Sequence, residues 1–574
     1  IEWVQSGALN GIDRLVLGDM NLNETENAIL LASPWKTDGF GCLWINYGAN
    51  LDAQCFINLA HNDDLWALTA FDNQDHGSEQ LTELLRLALP RTILAWYNSE
   101  IREAASAMAL CSALRHVHTL ILEFMMIDGD LLTYLLASEH LCNIRTLRIR
   151  GSYSLSEHWD TPLHLHNCHT MHVEGGSEHL TPILNNPGLN NLARLRLDGF
   201  DMASPPTGAT LCAIHSASLH TLTLARPSYS GPKPIHPQWL QCLFEAANNG
   251  AIERIDLRQY KIPPGAIAQE LRRHPHPPGG VDLHKVNLSN QDLFALFDTI
   301  EADRWEELTL VDCGLERKPL HTVLSRHTNL TSLRRLNLGH NPLGHGSGKL
   351  IAGFLKRCPN LTHLNIAHTR MSLPDIKTLA KALPKTSLQS LAIGGNRIDP
   401  QKLAALAPEL PTTLTHLDLS VGLYHDDHDE RTHWSASHLQ TLADCGAWKR
   451  LARLDLHHFP TDDTAWSWLQ QAPTAQNMTT LSIDVPNEVP WTTLLQLDCL
   501  PVLQHLHMSN YWWRVDFEPG PKDTNALTEL LMLLEDPRRR TLETLANISH
   551  DGTTRPYETD YLRLRMRTLL DMSL

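Results

Sequence analysis

The sequence predicts an α/β solenoid, with a parallel sheet along one side and helices along the other. Three observations predict it. Short L-x-L pairs recur at nearly constant spacing, an apolar series of helical period follows many of them, and prolines fall just after those series. The chain has 574 residues, well beyond the roughly 250 to 300 at which a single core stops growing. Stacked units escape that limit because each touches only its neighbours.

The clearest stretch carries LRRLNLGHNPL at 333–343, LTHLNIAHTRM at 361–371 and LQSLAIGGNRI at 388–398, at intervals of 28 and 27 residues. In a strand, alternate side chains point to opposite faces. The leucines of each L-x-L therefore enter the core, and the residues beside them face outward. Asn341 and Asn396 fall where an amide can bond the backbone of adjoining turns and build a ladder, with Thr369, Gln291 and Cys313 as the substitutes expected in other units. Ile376, Leu379 and Leu383, then Leu403, Leu406 and Leu410, have helical spacing. Pro359, Pro384 and Pro411 stand at their ends, where proline interrupts nothing. Weaker pairs run from Leu15/Leu17 to Leu506/Met508, among them Leu147/Ile149, Leu222/Leu224, Val286/Leu288 and Leu454/Leu456. With doubtful units near Leu68, Ile93 and Leu545 they make about 20 repeats.

The LxxLxLxxNxL pattern, regular from Leu283 to Leu419, resembles that of the leucine-rich-repeat superfamily. The interval lengths are similar to those of the ribonuclease-inhibitor-like subclass. That resemblance implies a horseshoe with a parallel concave sheet, convex helices and a protein partner on the concave side. Residues 1–550 are expected to form the solenoid, with a possible seam near 225–280 and an insertion at 421–448. Residues 551–574 are expected to cap it, since Leu562, Met566, Leu569 and Leu570 have helical spacing. The prolines and glycine of 225–237 argue against regular structure there. The irregular long repeats, few lysines and many arginines and tryptophans also resemble the repeat proteins that bacterial pathogens inject into host cells. This implies an effector role in the host cytosol.

Hydrophobic residues make up 42% and charged residues 19% of the chain, a folded rather than disordered composition. A formal charge of −17 opposes general binding to nucleic acid or anionic lipid, which requires a basic surface. No uninterrupted apolar run is long enough for a membrane span. Eleven scattered cysteines with no close CxxC pair fit a reducing, cytoplasmic setting rather than a disulfide framework. The 33 histidines would reverse the sign of the formal charge if all were protonated, which would make surface charge and partner binding depend on pH; compositional bias, with buried or solvated imidazoles, is the plainer reading.

Sequence motifs give no support for catalysis or for a cofactor. GHGSGK at 344–349 has Leu343 where a phosphate-binding loop needs its first glycine and Leu350 in place of the hydroxyl. Neither HExxH nor GxSxG occurs. Cys445 and Cys499 read as turn or core residues rather than ligase nucleophiles. Tyr424, His425, Asp426, Asp427, His428, Asp429, Glu430 and His433 read as a solvated acidic loop, lacking the tidy ligand pairs of a metal site. The expected contact surface is the row of outward residues Arg335, Asn337, His363, Asn365, His416, Asp418, Arg453, Asp455, His505 and His507, with Ser390 and Ala392 between and His457 at a strand exit. Trp512, Trp513 and Arg514 join it because tryptophan and arginine dominate binding hot spots. A non-catalytic protein-binding scaffold is the preferred reading. The alternatives are the recognition part of an enzyme or of a ubiquitin-ligase-type adaptor, whose active segment is missing or lies in the His/Asp-rich insertion, and a small-ligand sensor.

Overall fold

The structure, a computed structural model, describes residues 14–17, 42–45, 67–71, 93–100, 118–126, 136–150, 163–174, 180–226, 233–274, 279–302, 305–420, 435–456, 463–484, 499–509, 544–548 and 554–558. The chain divides into two compact units, Ile1–Asp282 and Leu283–Leu574.

In the first unit, strands β1 (Arg14–Leu17), β2 (Cys42–Ile45), β3 (Ala67–Phe71), β4 (Ile93–Glu100), β5 (Thr119–Met126), β6 (Thr146–Arg150), β7 (Thr170–Glu174), β8 (Arg194–Asp198) and β9 (Leu219–Ala225) pair in succession, all parallel. A short strand, β10 (Lys233–Pro234), precedes β11 (Ile252–Arg258), which pairs with β9. The register aligns Leu120, Leu147, Met171, Leu195, Leu222 and Ile255 in one column, and each is at most 1% exposed. Burying a leucine-sized side chain contributes about 1.5 to 3 kcal/mol, so this column holds adjacent units together. Helices α1 (Leu180–Asn185), α2 (Gly208–Ser216), α3 (Pro237–Asn248) and α4 (Ala266–Arg273) alternate with the later strands.

The segment expected to be irregular around 225–237 holds more order than its prolines indicate. Lys233–Pro234 pairs with β12 (Tyr260–Lys261) as a small parallel sheet, and Pro237 opens α3. Proline suits a first helical position, where no N–H is needed.

β13 (Gly280–His284) carries the division between the units. In the second unit β14 (Glu307–Val311), β15 (Arg335–Asn337), β16 (His363–Asn365), β17 (Ser390–Ala392), β18 (His416–Asp418), β19 (Arg453–Leu456), β20 (Thr480–Asp484), β21 (His505–Ser509) and β22 (Thr544–Ile548) pair in parallel succession. β23 (Thr554–Glu558) then runs antiparallel to β22. The helical residues expected beyond it, Leu562 to Leu570, lie outside the described residues. Strands on either side of the insertion at 421–448 pair directly, Leu417 against Leu454.

Helices α5 (Asn290–Glu301), α6 (Arg317–Arg326), α7 (Ser347–Arg357), α8 (Leu373–Ala380), α9 (Pro400–Leu406), α10 (Ala436–Asp444), α11 (Ala447–Arg450) and α12 (Asp463–Gln471) follow the strands of this unit. Trp448 is fully buried, donates Nε1–H to the Pro473 carbonyl at 2.7 Å and meets the Trp468 ring edge-on at 5.2 Å.

One register is corrected. The pair expected at Val286/Leu288 is Val281/Leu283, on β13 and at most 1% exposed. Ser289 caps α5 through a reciprocal bond with Asp292, so the helix begins before a later strand could fit. Gln291, assigned to the ladder, is therefore an exposed residue of α5.

The ladder itself is present. Asn341 Nδ2 donates to the carbonyls of Leu310, Leu338 and Gly339 at 2.7, 2.9 and 3.2 Å, while its Oδ1 accepts from the amides of Cys313 and Leu315. Asn396 repeats the pattern on Ile366, Ile393 and Gly394 and accepts from the Met371 amide and the Thr369 hydroxyl. Immediately before these positions the chain turns left-handed, at Lys285, Asp312, His340, His368 and Gly395, with φ of 54°, 53°, 60°, 56° and 65°. His340 and His368 stack at 4.2 Å between ring centroids. A Cβ on Gly395 would strike the His368 ring, so glycine ends that stack.

Candidate functional site

Strand register sorts the outward residues of the second unit into two columns. The first reads Glu307, Arg335, His363, Ser390, His416, Arg453, Thr480 and His505. The second reads Thr309, Asn337, Asn365, Ala392, Asp418, Asp455, Ser482 and His507. The first column is thus rich in cationic and imidazole groups, and the second in amides and carboxylates. Ten of the expected contact residues fall in these two columns. His457, Trp512, Trp513 and Arg514 lie outside the described residues, as does the acidic loop 424–433. Of His505 and His507 only the strand backbone is described.

The columns differ in what their side chains do. Arg335, His416 and Arg453 are exposed, and His363 is half-buried. Asn337 and Asn365 accept the amides of Gly339 and Ala367 at 3.0 Å, and Asp418 accepts that of Ser420 at 2.8 Å. Such bonds to the backbone two residues ahead end each strand. Asp455 departs from expectation: it is 6% exposed, held between Arg453 Nε at 2.7 Å and Ser482 Oγ at 2.5 Å. It anchors Arg453 instead of offering a carboxylate to a partner. That hydrogen bond to Asp455 is the chief reason the Arg453 guanidinium holds its proton more tightly than usual.

The two histidines of the first column are oriented alike. Thr362 and Thr415 donate their hydroxyls to the carbonyls of Arg334 and Gln389, and each hydroxyl oxygen stands 2.8 Å from the Nδ1 of the next residue, His363 or His416. With the hydroxyl proton committed to a carbonyl, Nδ1 carries the imidazole proton and Nε2 is left as an acceptor. Burial, reinforced by the charges of Arg335 and His416, lowers the pKa of His363.

Sequence reasoning missed the matching face of the first unit, although the same positions beside its L-x-L pairs pointed to it. There His172 and Arg196 both engage Asp198, at 2.7 and 2.9 Å. Arg254 forms a two-pronged bond to Asp282 at 2.8 Å for each prong. Thr223 and Arg258 converge on Asp256, which is 4% exposed. Burial alone would raise the pKa of Asp198, but the bonds from His172 and Arg196 outweigh it and hold the carboxyl below its usual range.

The glycine-rich segment at 344–349 also has a partner. Gly346 and Gly348 donate their amides to Asp375 Oδ1 at 2.8 and 3.1 Å at the start of α7, while Asp375 Oδ2 accepts the Ser372 amide at 3.1 Å and the Ser372 hydroxyl at the start of α8. One carboxylate, 3% exposed, thus serves two helix starts in adjacent repeats and takes up the amides of Gly346 and Gly348. The thiols are equally occupied with packing. Burial pushes those of Cys168, Cys242, Cys313 and Cys358 up to about 12, far from nucleophilic readiness. Cys445 ends α10, with its thiol bonded to the Leu442 carbonyl, and Cys499 is 4% exposed.

Among the described residues no group of three or more His, Cys, Asp or Glu could hold a metal ion, and no helix is long and apolar enough to cross a membrane. No curated protein matches the chain. Among solved structures the chain is similar to one from a crystal structure of the Rad7 and Elc1 complex in yeast, at 14% identity and a TM-score of 0.40, over 66% of this chain and 86% of that one. A family model described as Leucine Rich repeat matches residues 329–352. Those residues hold β15, Asn341 of the ladder and the start of α7, a single leucine-rich repeat whose strand register continues through the strands on either side.

Proposed function

We propose that the chain is a non-catalytic scaffold that binds a protein partner on the strand face of its second unit, through Arg335, His363, His416 and Arg453. The observation that carries this reading is the in-register column of outward cationic and imidazole groups, in which two imidazoles are fixed by threonines and one guanidinium by a buried aspartate. Groups held in place lose little freedom when a partner docks, which favours affinity. The guanidinium groups of Arg335 and Arg453 suit an acidic protein surface, and the Nε2 acceptors of His363 and His416 suit hydroxyl or amide donors beside it. The formal charge of −17 makes nucleic acid a poor alternative.

The test compares the wild-type chain with the triple variant Arg335→Ala, His416→Ala, Arg453→Ala, after circular dichroism has established that both melt alike. Proteins captured by the wild type from bacterial and host-cell lysates are identified by mass spectrometry. Loss of a captured protein with the triple variant is expected, and undiminished capture refutes the assigned face. The narrower reading, a bacterial effector acting on a host protein, predicts a specific capture from the host lysate alone.

A further inference from the structure

A second surface, separate from that face, lies at the edge of the first unit where strands β5 to β8 begin. A cleft of about 610 Å³ opens there, lined by Arg145, Arg194, His118 and His169 together with two asparagines and two threonines, and by no carboxylate. In a chain with 64 acidic residues against 47 basic ones, such a lining is the reverse of the average surface.

The backbone explains why these groups meet. The Arg145 amide donates to the His118 carbonyl at 2.7 Å, the His169 amide to the Arg145 carbonyl at 2.9 Å, and the Ala193 amide to the His169 carbonyl at 2.9 Å. His118, Arg145 and His169 therefore occupy one position in three successive strands, roughly 4.8 Å apart from strand to strand. Arg194 enters from the next strand and donates Nε–H to Thr170 Oγ1 at 3.3 Å. His169 Nδ1 is held by the carbonyl of Asn167, which turns Nε2 outward. Asn167 is itself fixed by a 2.8 Å bond from its Nδ2 to the Cys142 carbonyl. Arg145 and Arg194 are exposed, and neither has a carboxylate partner among the described residues.

We infer that this cleft binds an acidic peptide segment of a partner protein, with Arg145 and Arg194 as the carboxylate-recognising groups. Guanidinium groups match carboxylates in planar two-pronged geometry, and Arg145 and Arg194 both line the cleft. The cleft is larger than a single inorganic anion needs, and it is walled by several side chains that can follow an extended chain. A nucleic acid is less favoured, because the chain as a whole carries a formal charge of −17. The assignment is independent of the strand-face reading above.

The experiment measures fluorescence anisotropy of a labelled oligoglutamate peptide with the full chain, the pair Arg145→Glu/Arg194→Glu and the pair Arg145→Gln/Arg194→Gln. Inorganic phosphate and a single-stranded oligodeoxynucleotide serve as competitors. Binding of the peptide by the wild type is expected, weakened about tenfold or more by charge reversal and by a smaller factor by glutamine. The strand-face triple variant should bind the peptide as the wild type does. If charge reversal lowers the melting temperature, the glutamine pair decides. The inference is overturned if the wild type fails to bind the peptide, or if folded variants bind it equally well. Competition by the oligodeoxynucleotide that exceeds competition by unlabelled peptide also overturns it.

Discussion

Replacing Asp375 by alanine removes a carboxylate that accepts four hydrogen bonds, from the amides of Gly346, Gly348 and Ser372 and from the Ser372 hydroxyl. Hydrogen bonds to a charged group contribute about 1.5 to 3 kcal/mol each, and the sum falls short of additive when they share one acceptor. Donors left behind at a site only 3% exposed add a desolvation penalty. The expected loss is therefore about 3 to 5 kcal/mol. Asp375→Asn, which keeps one oxygen and turns an amide toward the other donors, should cost about 2 kcal/mol. Burial alone would raise the carboxyl pKa, but the bonds from Ser372 and from the Gly348 and Gly346 amides outweigh it and hold it low. The unfolded chain regains its proton near pH 4, so the stabilisation is complete above that pH and lost as pH falls further. Urea unfolding monitored by circular dichroism reads the total. Hydrogen exchange at Gly346 and Gly348 reads the local effect, with faster exchange expected at both. An alanine variant within about 0.5 kcal/mol of wild type, with unchanged exchange at those amides, would refute the argument.

Asn341→Ala deletes five bonds to backbone inside the ladder and should destabilise the second unit by about 2 to 3 kcal/mol in the same urea assay. Gly348→Ala should also destabilise it, because the added Cβ would overlap the backbone of Asp375; an unchanged midpoint contradicts this. The His363 ring should titrate below the ordinary value of about 6.5, since burial and the Arg335 and His416 charges oppose its protonation. Below that pH the unfolded chain takes up a proton that the folded ring resists, so this residue costs stability on acidification. A nuclear magnetic resonance titration checks it, and Arg335→Gln should move the midpoint upward.

The repeat was legible because burial of leucine pairs writes itself into spacing. Leu336, Leu364 and Leu391 stand in register as their sequence alignment requires. The ladder role of Asn341 and Asn396 was equally readable, since a buried amide needs partners that only adjoining backbone supplies. The frame of β13 was ambiguous, as Val281/Leu283 and Val286/Leu288 fit the same template. The capping pair Ser289 and Asp292 resolved it, and that signal was present in the sequence. Asp455 could not be read from alternation alone, because its burial depends on Ser482 in the next strand and on Arg453 beside it. Nor could Asp375 be linked to the glycines at 346 and 348, since pattern matching within one repeat does not see a side chain that crosses into another.

That crossing carboxylate bears on how such an array can be shortened, lengthened or recombined. A cut between Gly348 and Ser372 leaves one helix without its cap and one aspartate without two of its four donors, however well the leucines on either side are matched. The natural exchangeable module here is two repeats long, with its boundaries outside the shared aspartate.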